Sequence, residues 1–387
     1  MLRRIPAVTV LALTSIVVFA FASRAQSQAS PTSHAGPDFP ERGKADSIVR
    51  ALVDRFGLPG ISVALTRDDR LVYAAAIGWA DRGKHIPMAT TTRMRLASVS
   101  KPLTSLALMT LAERKRISLD TVVFGPTGVL GVEYGEPMFA GAKASITVRQ
   151  LMQHLEGGWG NQRNDPVFAF YDMTQRALIA RTLRERPLES RPGSVQAYSN
   201  FGYLVLGRVI ERVTGQRYED AVRALVLQPS GAPEIRIGAP RGAPRAPDEA
   251  VYDGSGREDP YMLRPDLMDA HGGWVANPLE LLRVMDRYDG GGGVPDLLPP
   301  ERLREMTTGD SRFSGYALGW AVNRSGNWFH QGSMPGTASM IARTSRGFNW
   351  VIITNTRPAS ADFSSALDQL MWKVLDAVRA WPAGESW

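Results

Sequence analysis

The sequence predicts a mixed α/β fold of the α+β kind: one mainly antiparallel sheet assembled from strands near both ends of the chain, flanked by helices, with a helical region inserted over about residues 120–290. Two observations carry this. Residues 61–66 and 71–77 are short apolar runs joined by Arg67-Asp68-Asp69-Arg70, the pattern of a strand pair closed by a polar turn. Four more such runs, 316–322, 327–330, 337–343 and 349–354, return after residue 310, divided by turns containing Gly and Ser. The stretches between carry helical periodicity, so strands far apart in sequence share one sheet and the helices cover it.

Taken in order, Met1-Leu2-Arg3-Arg4 and the apolar run 5–22 read as the basic and hydrophobic regions of a secretory signal, with a cleavage site after Ala25. The expectation is export to the periplasm or the medium, with membrane contact only if this segment stays uncleaved as an anchor. Residues 26–43, rich in Ser, Pro, Ala and Gly, read as a linker, and 44–380 as a single domain that opens with a helix over 44–56. The next helix is fixed by Pro102, since proline is tolerated only in a first turn. From Leu103 to Ala112 it is apolar on every side, which demands burial in a sizeable core. Helical periodicity recurs at 148–154 and 203–213, the latter closed by Gly215. Asn277-Pro278-Leu279-Glu280 supplies a cap, a first-turn proline and an acid for a helix to about Arg287. Residues 290–293 are a glycine run read as a flexible loop, and 362–380 form a terminal helix with Phe363, Leu367, Leu370, Met371, Val374 and Val378 on one face.

Composition excludes several chemistries. The chain has no cysteine, which removes disulfides, thiol catalysis and thiolate metal sites. Five scattered histidines include no His-Glu-x-x-His pair, so no zinc and no cofactor is expected. The formal charge of +7 includes Arg3, Arg4 and Arg24 of the signal, leaving 7 − 3 = +4, an excess too mild to name a nucleic-acid partner. The Gly-x-Ser-x-Gly elbow of α/β-hydrolases is absent.

Three motifs carry chemistry. Ser98 lies at the N-terminus of the Pro102 helix, where unpaired N–H groups and the helix dipole favour a developing oxyanion. Lys101, three residues on, shares its face. It is one of six lysines against 39 arginines, and the only one with a serine three residues before it. Arginine cannot release its proton; a desolvated lysine can. Tyr198-Ser199-Asn200 is the second motif: a phenol that can carry a proton and an amide that can hold a substrate carbonyl or the lysine. The third is His330-Gln331-Gly332-Ser333, where a strand ends in a hydrogen-bonding or cationic residue and a glycine lets a substrate approach the backbone. His271-Gly272-Gly273 has similar spacing, but its context before a helix cap sets it aside.

In that order Ser98-x-x-Lys101, Tyr198-x-Asn200 and His330-x-Gly332 resemble the serine β-lactamase and penicillin-binding-protein superfamily, above all its class C branch with D-alanyl-D-alanine carboxypeptidases, D-aminopeptidases and esterases. The resemblance covers about residues 44–380; residues 151–158 and 271–274 also look like family loops. It implies a β-lactamase/transpeptidase-like fold and a small-molecule or peptide substrate. Ser98 would be the nucleophile, Lys101 and Tyr198 would manage the proton, and the N–H groups of Ser98 and Ser333 would hold the oxyanion, with Asn200, His330 and Gly332 beside the substrate. The chain departs from the family at the third motif, where lactamases resemble Lys-Thr-Gly and this sequence has His330-Gln331-Gly332. The expected activity is therefore ester, D-amino-acid amide or peptide hydrolysis through a Ser98 acyl-enzyme. A class C-type β-lactamase, or a penicillin-binding sensor that acylates without efficient turnover, is the alternative. Arg343 and Arg346 are the cations that could replace the missing lysine.

Overall fold

The computed structural model describes residues 30–135, 141–256, 258–313 and 315–387. The expected signal segment lies outside them. Among the described residues there are eleven strands: β1 (Thr32–Ala35), β2 (Gly60–Arg67), β3 (Arg70–Asp81), β4 (Ile86–Pro87), β5 (Met94–Arg95), β6 (Arg236–Ile237), β7 (Trp274–Ala276), β8 (Ala321–Val322), β9 (Trp328–Met334), β10 (Thr337–Arg343) and β11 (Phe348–Thr354). The large sheet runs β1-β3-β2-β11-β10-β9-β8, with β4 on β3, and every pairing in it is antiparallel. Strands from the two ends of the chain meet at β2 and β11, as the sequence predicts.

Alternation along the strands explains the two layers. Ile61, Val63 and Leu65 of β2, with Trp350 and Ile352 of β11, pack under the helices Arg42–Phe56 and Phe363–Ala377. Ala64, Val351 and Ile353 point the other way, into the larger core that holds the helix Ser100–Glu113. Both faces are buried, so these strands read as continuous apolar runs. Every residue from Ser100 to Ala112 is buried, which accounts for the absence of a polar face on that helix. A fully buried leucine such as Leu108 contributes about 2–3 kcal/mol through the area it removes from water.

Three expectations need correction. Part of the expected linker is sheet: Thr32–Ala35 pairs with β3 from Thr32↔Ile77 to Ala35↔Ala74, and the first helix begins at Arg42. The edge of β3 would otherwise present unpaired backbone groups, and a short polar strand meets that need despite its linker-like composition. The strand expected over 316–322 shrinks to Ala321–Val322, because the Ala317 N–H donates to the Trp320 carbonyl 2.8 Å away and closes a turn. The glycine loop at 290–293 is tied down: the N–H groups of Gly293 and Val294 donate to the Asp69 carboxylate. Among the described residues, no helix is long and apolar enough to cross a membrane.

Candidate active site

The turn Ala97–Val99 enters the buried helix and is stapled from both sides. The Leu96 N–H donates to the Trp274 carbonyl at 2.9 Å, the Ser339 hydroxyl donates to the Leu96 carbonyl at 2.6 Å, and the Thr337 hydroxyl donates to the Arg95 carbonyl at 2.9 Å. So held, Ala97 adopts φ +48°, a conformation that costs a non-glycine residue roughly 1–2 kcal/mol and turns the Ser98 side chain toward the cavity. Strand β9 lies against the same turn. A Cβ on Gly332 would stand 2.2 Å from the Leu96 carbonyl oxygen, so only glycine allows this approach.

Lys101 is wholly buried. Its Nζ lies 3.2 Å from Ser98 Oγ, 2.7 Å from Asn200 Oδ1 and 3.1 Å from the His271 carbonyl oxygen. The Tyr198 ring covers it at 4.6 Å from the ring centroid. Burial pulls its pKa down to about 7, opposed by the charge of Asp165. Asn200 is aimed by its other end, since Nδ2 donates to Asp165 Oδ2 at 2.7 Å and its N–H donates to Asn161 Oδ1 at 2.9 Å. Asp165 caps the helix Pro166–Ala169 as well, its Oδ1 accepting from the Val167 N–H at 2.9 Å.

Among the described residues the buried Tyr198 hydroxyl has no hydrogen-bond partner. Burial pushes the phenol well above its ordinary pKa, and nearby Ser98 offsets only part of that. His330 is held neutral: burial and the Lys101 charge pull its pKa down to about 3. Its Nδ1 lies 2.8 Å from the Gln331 carbonyl oxygen, which can only accept, so Nδ1 carries the proton. Nε2 then accepts from the Tyr316 hydroxyl at 3.0 Å. In this arrangement His330 serves as a neutral hydrogen-bonding group.

Two cavities open on these residues. One of 340 Å³ is lined by Ser98, Tyr198, Asn200, Asn161, Gln331 and Ser333, among others. The second, 690 Å³, adjoins it through Tyr198 and Gln331 and reaches His330, Tyr316, Phe329 and Asp368. Neither includes a lysine or arginine among its described lining residues. Arg343 lies elsewhere, donating to the Asp289 carbonyl at 2.9 Å and stacking on Trp328. It lies four positions along β10 from Ser339, the residue paired with Gly332.

All seven residues singled out in the sequence, Ser98, Lys101, Tyr198, Asn200, His330, Gly332 and Ser333, thus converge on one region. Asn161, Asp165 and Tyr316 were not anticipated. Asp165-Pro166 carries the signal of a helix cap, but nothing local shows that its carboxylate aims Asn200. His271, set aside for its context before a helix cap, contributes its backbone carbonyl to Lys101.

Comparison with known proteins bears on the family and the fold. A family model described as Beta-lactamase matches residues 45–371. The mitochondrial serine beta-lactamase-like protein LACTB of Homo sapiens is 27% identical over 241 residues, 46% of this chain and 43% of that protein, so the match spans less than half the length of this relative. A D-amino acid amidase from Ochrobactrum anthropi SV3, solved with L-phenylalanine, superposes with a TM-score of 0.69 at 22% identity, covering 87% of this chain and 98% of that one. A class C beta lactamase from Rhodobacter sphaeroides gives 0.69 at 19% identity, covering 86% and 99%. These two likenesses concern the fold.

Proposed function

The chain belongs to the beta-lactamase family, and on that premise we propose that it is an exported serine hydrolase that forms an acyl-enzyme on Ser98 and acts on an ester, a D-amino-acid amide or a short peptide. The observation that carries the reading is the buried Lys101 amine, 3.2 Å from Ser98 Oγ with a pKa near 7. Such an amine is neutral in about half the molecules at neutral pH and can accept the serine proton. The raised pKa of Tyr198 leaves it a phenol, suited to pass a proton and not to remove one unaided.

In the proposed reaction Lys101 takes the Ser98 proton as Oγ attacks the substrate carbonyl carbon, and the oxygen gains its negative charge facing the N–H groups of Ser98 and Ser333. Each such donor contributes about 3–4 kcal/mol to lowering the barrier. The intermediate collapses with proton transfer from the Lys101 ammonium, through the Tyr198 hydroxyl, to the departing alcohol or amine. Water then attacks the ester on Ser98, giving a proton to Lys101, and Lys101 returns that proton to Ser98 Oγ as the acyl–oxygen bond breaks and the acid leaves.

The ranking of substrates rests on the cavity lining. A β-lactam carries a carboxylate that wants a cation or a hydroxyl donor, and neutral His330 with Gln331 supplies no charge there. Export rests on residues 1–25 of the sequence. A panel of p-nitrophenyl esters, D-amino-acid amides, D-Ala-D-Ala peptides and nitrocefin, each with wild type and Ser98→Ala, tests the proposal. Ester or D-amide turnover exceeding nitrocefin turnover, and lost in Ser98→Ala, is expected. Efficient nitrocefin hydrolysis by the wild type would overturn the ranking.

A further inference from the structure

At the other end of the sheet stands a group of acids that the proposed chemistry does not use. Asp69, in the β2–β3 turn, faces Asp286 and Asp289, which follow the helix Pro278–Met285; one carboxylate oxygen from each lies within 4.8 Å of the others. All three are at least 97% buried, as is Asn349 beside them. The Thr66–Asn349 row is four residues along the strands from the Ser62–Ile353 row that leads to Gly332, or about 13 Å.

Hydrogen bonds account for most of these oxygens but leave the charge uncompensated. Asp69 Oδ2 accepts from the Gly293 and Val294 N–H groups, Asp289 Oδ1 from Gly291, and Asp286 from Thr66, Asn349 and Trp387. Among the described residues no lysine or arginine forms an ion pair with any of the three. Among the described residues, two buried oxygens of this cluster have no hydrogen-bond partner: Asp69 Oδ1, within the group, and Asn349 Oδ1, on the amide whose Nδ2 contacts both Asp286 and Asp289. The glycine run closes over them. A Cβ on Gly291 would stand 2.8 Å from Asp289 Oδ1 and from both Asp69 oxygens, so the backbone forms a cradle that only glycine permits. Buried charges persist when paired or bound to a metal.

We propose that Asp69, Asp286 and Asp289 bind one hard divalent cation, calcium by size, that pins the β2–β3 turn to the end of the Pro278–Met285 helix. An all-oxygen donor set selects calcium, magnesium or manganese over zinc. Three atoms no more than 4.8 Å apart share a centre no more than about 2.8 Å from each, a span suited to calcium at 2.3–2.6 Å and loose for magnesium at about 2.1 Å. A half-turn of the Asn349 amide exchanges its nitrogen for the unpartnered oxygen and supplies a fourth ligand. The site is structural, remote from Ser98, and independent of the substrate. The site is not legible in the sequence because Asp69 lies far along the chain from Asp286 and Asp289, and histidine and cysteine patterns, which exclude zinc there, say nothing of an all-carboxylate set.

The test is calorimetric titration of EDTA-treated full-length protein with calcium chloride, paired with thermal unfolding in calcium, magnesium or manganese at pH 7.5. One calcium per chain is expected, with a rise in unfolding midpoint of about 4 °C at a hundredfold excess over Kd. Asp69→Asn and Asp289→Asn should each abolish the rise while keeping ester hydrolysis. A wild-type protein that takes up no calcium, and whose midpoint is unmoved by all three ions, would overturn the proposal and leave the acids sharing protons. Calcium binding that survives both substitutions would place the ion elsewhere and overturn it equally.

Discussion

If Lys101 is the base, the pH dependence of acylation reports its burial. A lysine at its ordinary value of 10.5 is neutral at pH 7 in about one molecule in 3,000, whereas one at about 7 is neutral in about half. Because the pKa is lowered, the active neutral form is present above pH 7 and lost below it. From pH 7 to pH 5 the neutral fraction drops from about one half to about one hundredth, so kcat/KM for a p-nitrophenyl ester should fall about 50-fold. The histidines beside the site do not titrate in this window, since burial holds His330 at about 3 and His154 well below its ordinary value. Lys101→Arg keeps a cation but cannot accept a proton, and should lose at least 10³-fold. Asp165→Asn removes the charge that favours the ammonium and should move the acid limb to lower pH. Rates measured from pH 5 to 9 at the nitrophenol isosbestic wavelength decide this. A flat profile, or an arginine variant with more than a tenth of wild-type activity, would refute the reasoning.

Three further outcomes are expected. Glu156 is fully buried, its carboxylate oxygens lack partners and burial pushes its pKa up to about 8; between about 4.5 and 8 the folded state holds a proton that the unfolded state lacks, so stability should fall with rising pH by up to about 1.4 kcal/mol per pH unit. Glu156→Gln should remove that slope in urea unfolding and raise stability at pH 7.5. Gly332→Ala drives a methyl against the Leu96 carbonyl, 2.2 Å from the ideal Cβ, and should cost about 10²-fold in kcat by displacing the nucleophile turn, read by steady-state kinetics on a folded variant confirmed by circular dichroism. His330→Lys with Gln331→Thr supplies the charge and hydroxyl absent from the cavity lining, and should raise the ratio of nitrocefin to ester hydrolysis at least tenfold.

Much of this architecture is visible in the sequence because it rests on local rules. Pro102 dictates where the nucleophile helix starts, the apolar run after it dictates burial, and strand-length apolar segments at both ends dictate a sheet shared between them. What escaped reading depends on distance. Asp165 matters because its carboxylate meets Asn200 across 35 residues, and Tyr316 because the 317–320 turn carries its hydroxyl to His330. Composition misled at Thr32–Ala35, where a linker-like segment covers an exposed strand edge, and at 290–293, where glycines that suggest freedom wrap a carboxylate. Charge at the third motif is likewise a property of burial: the sequence leaves His330 as either a hydrogen-bonding group or a cation, and burial beside Lys101 favours the neutral form.

The most direct test of the central claim is the site of covalent modification. Full-length protein treated with a fluorophosphonate probe at pH 8 should gain one adduct by intact mass, and peptide mapping should place it on Ser98. Ser98→Ala should take up none while retaining the wild-type circular dichroism spectrum, because the change removes a single oxygen. An adduct on another residue, or undiminished labelling of Ser98→Ala, would contradict the assignment of Ser98 as the nucleophile.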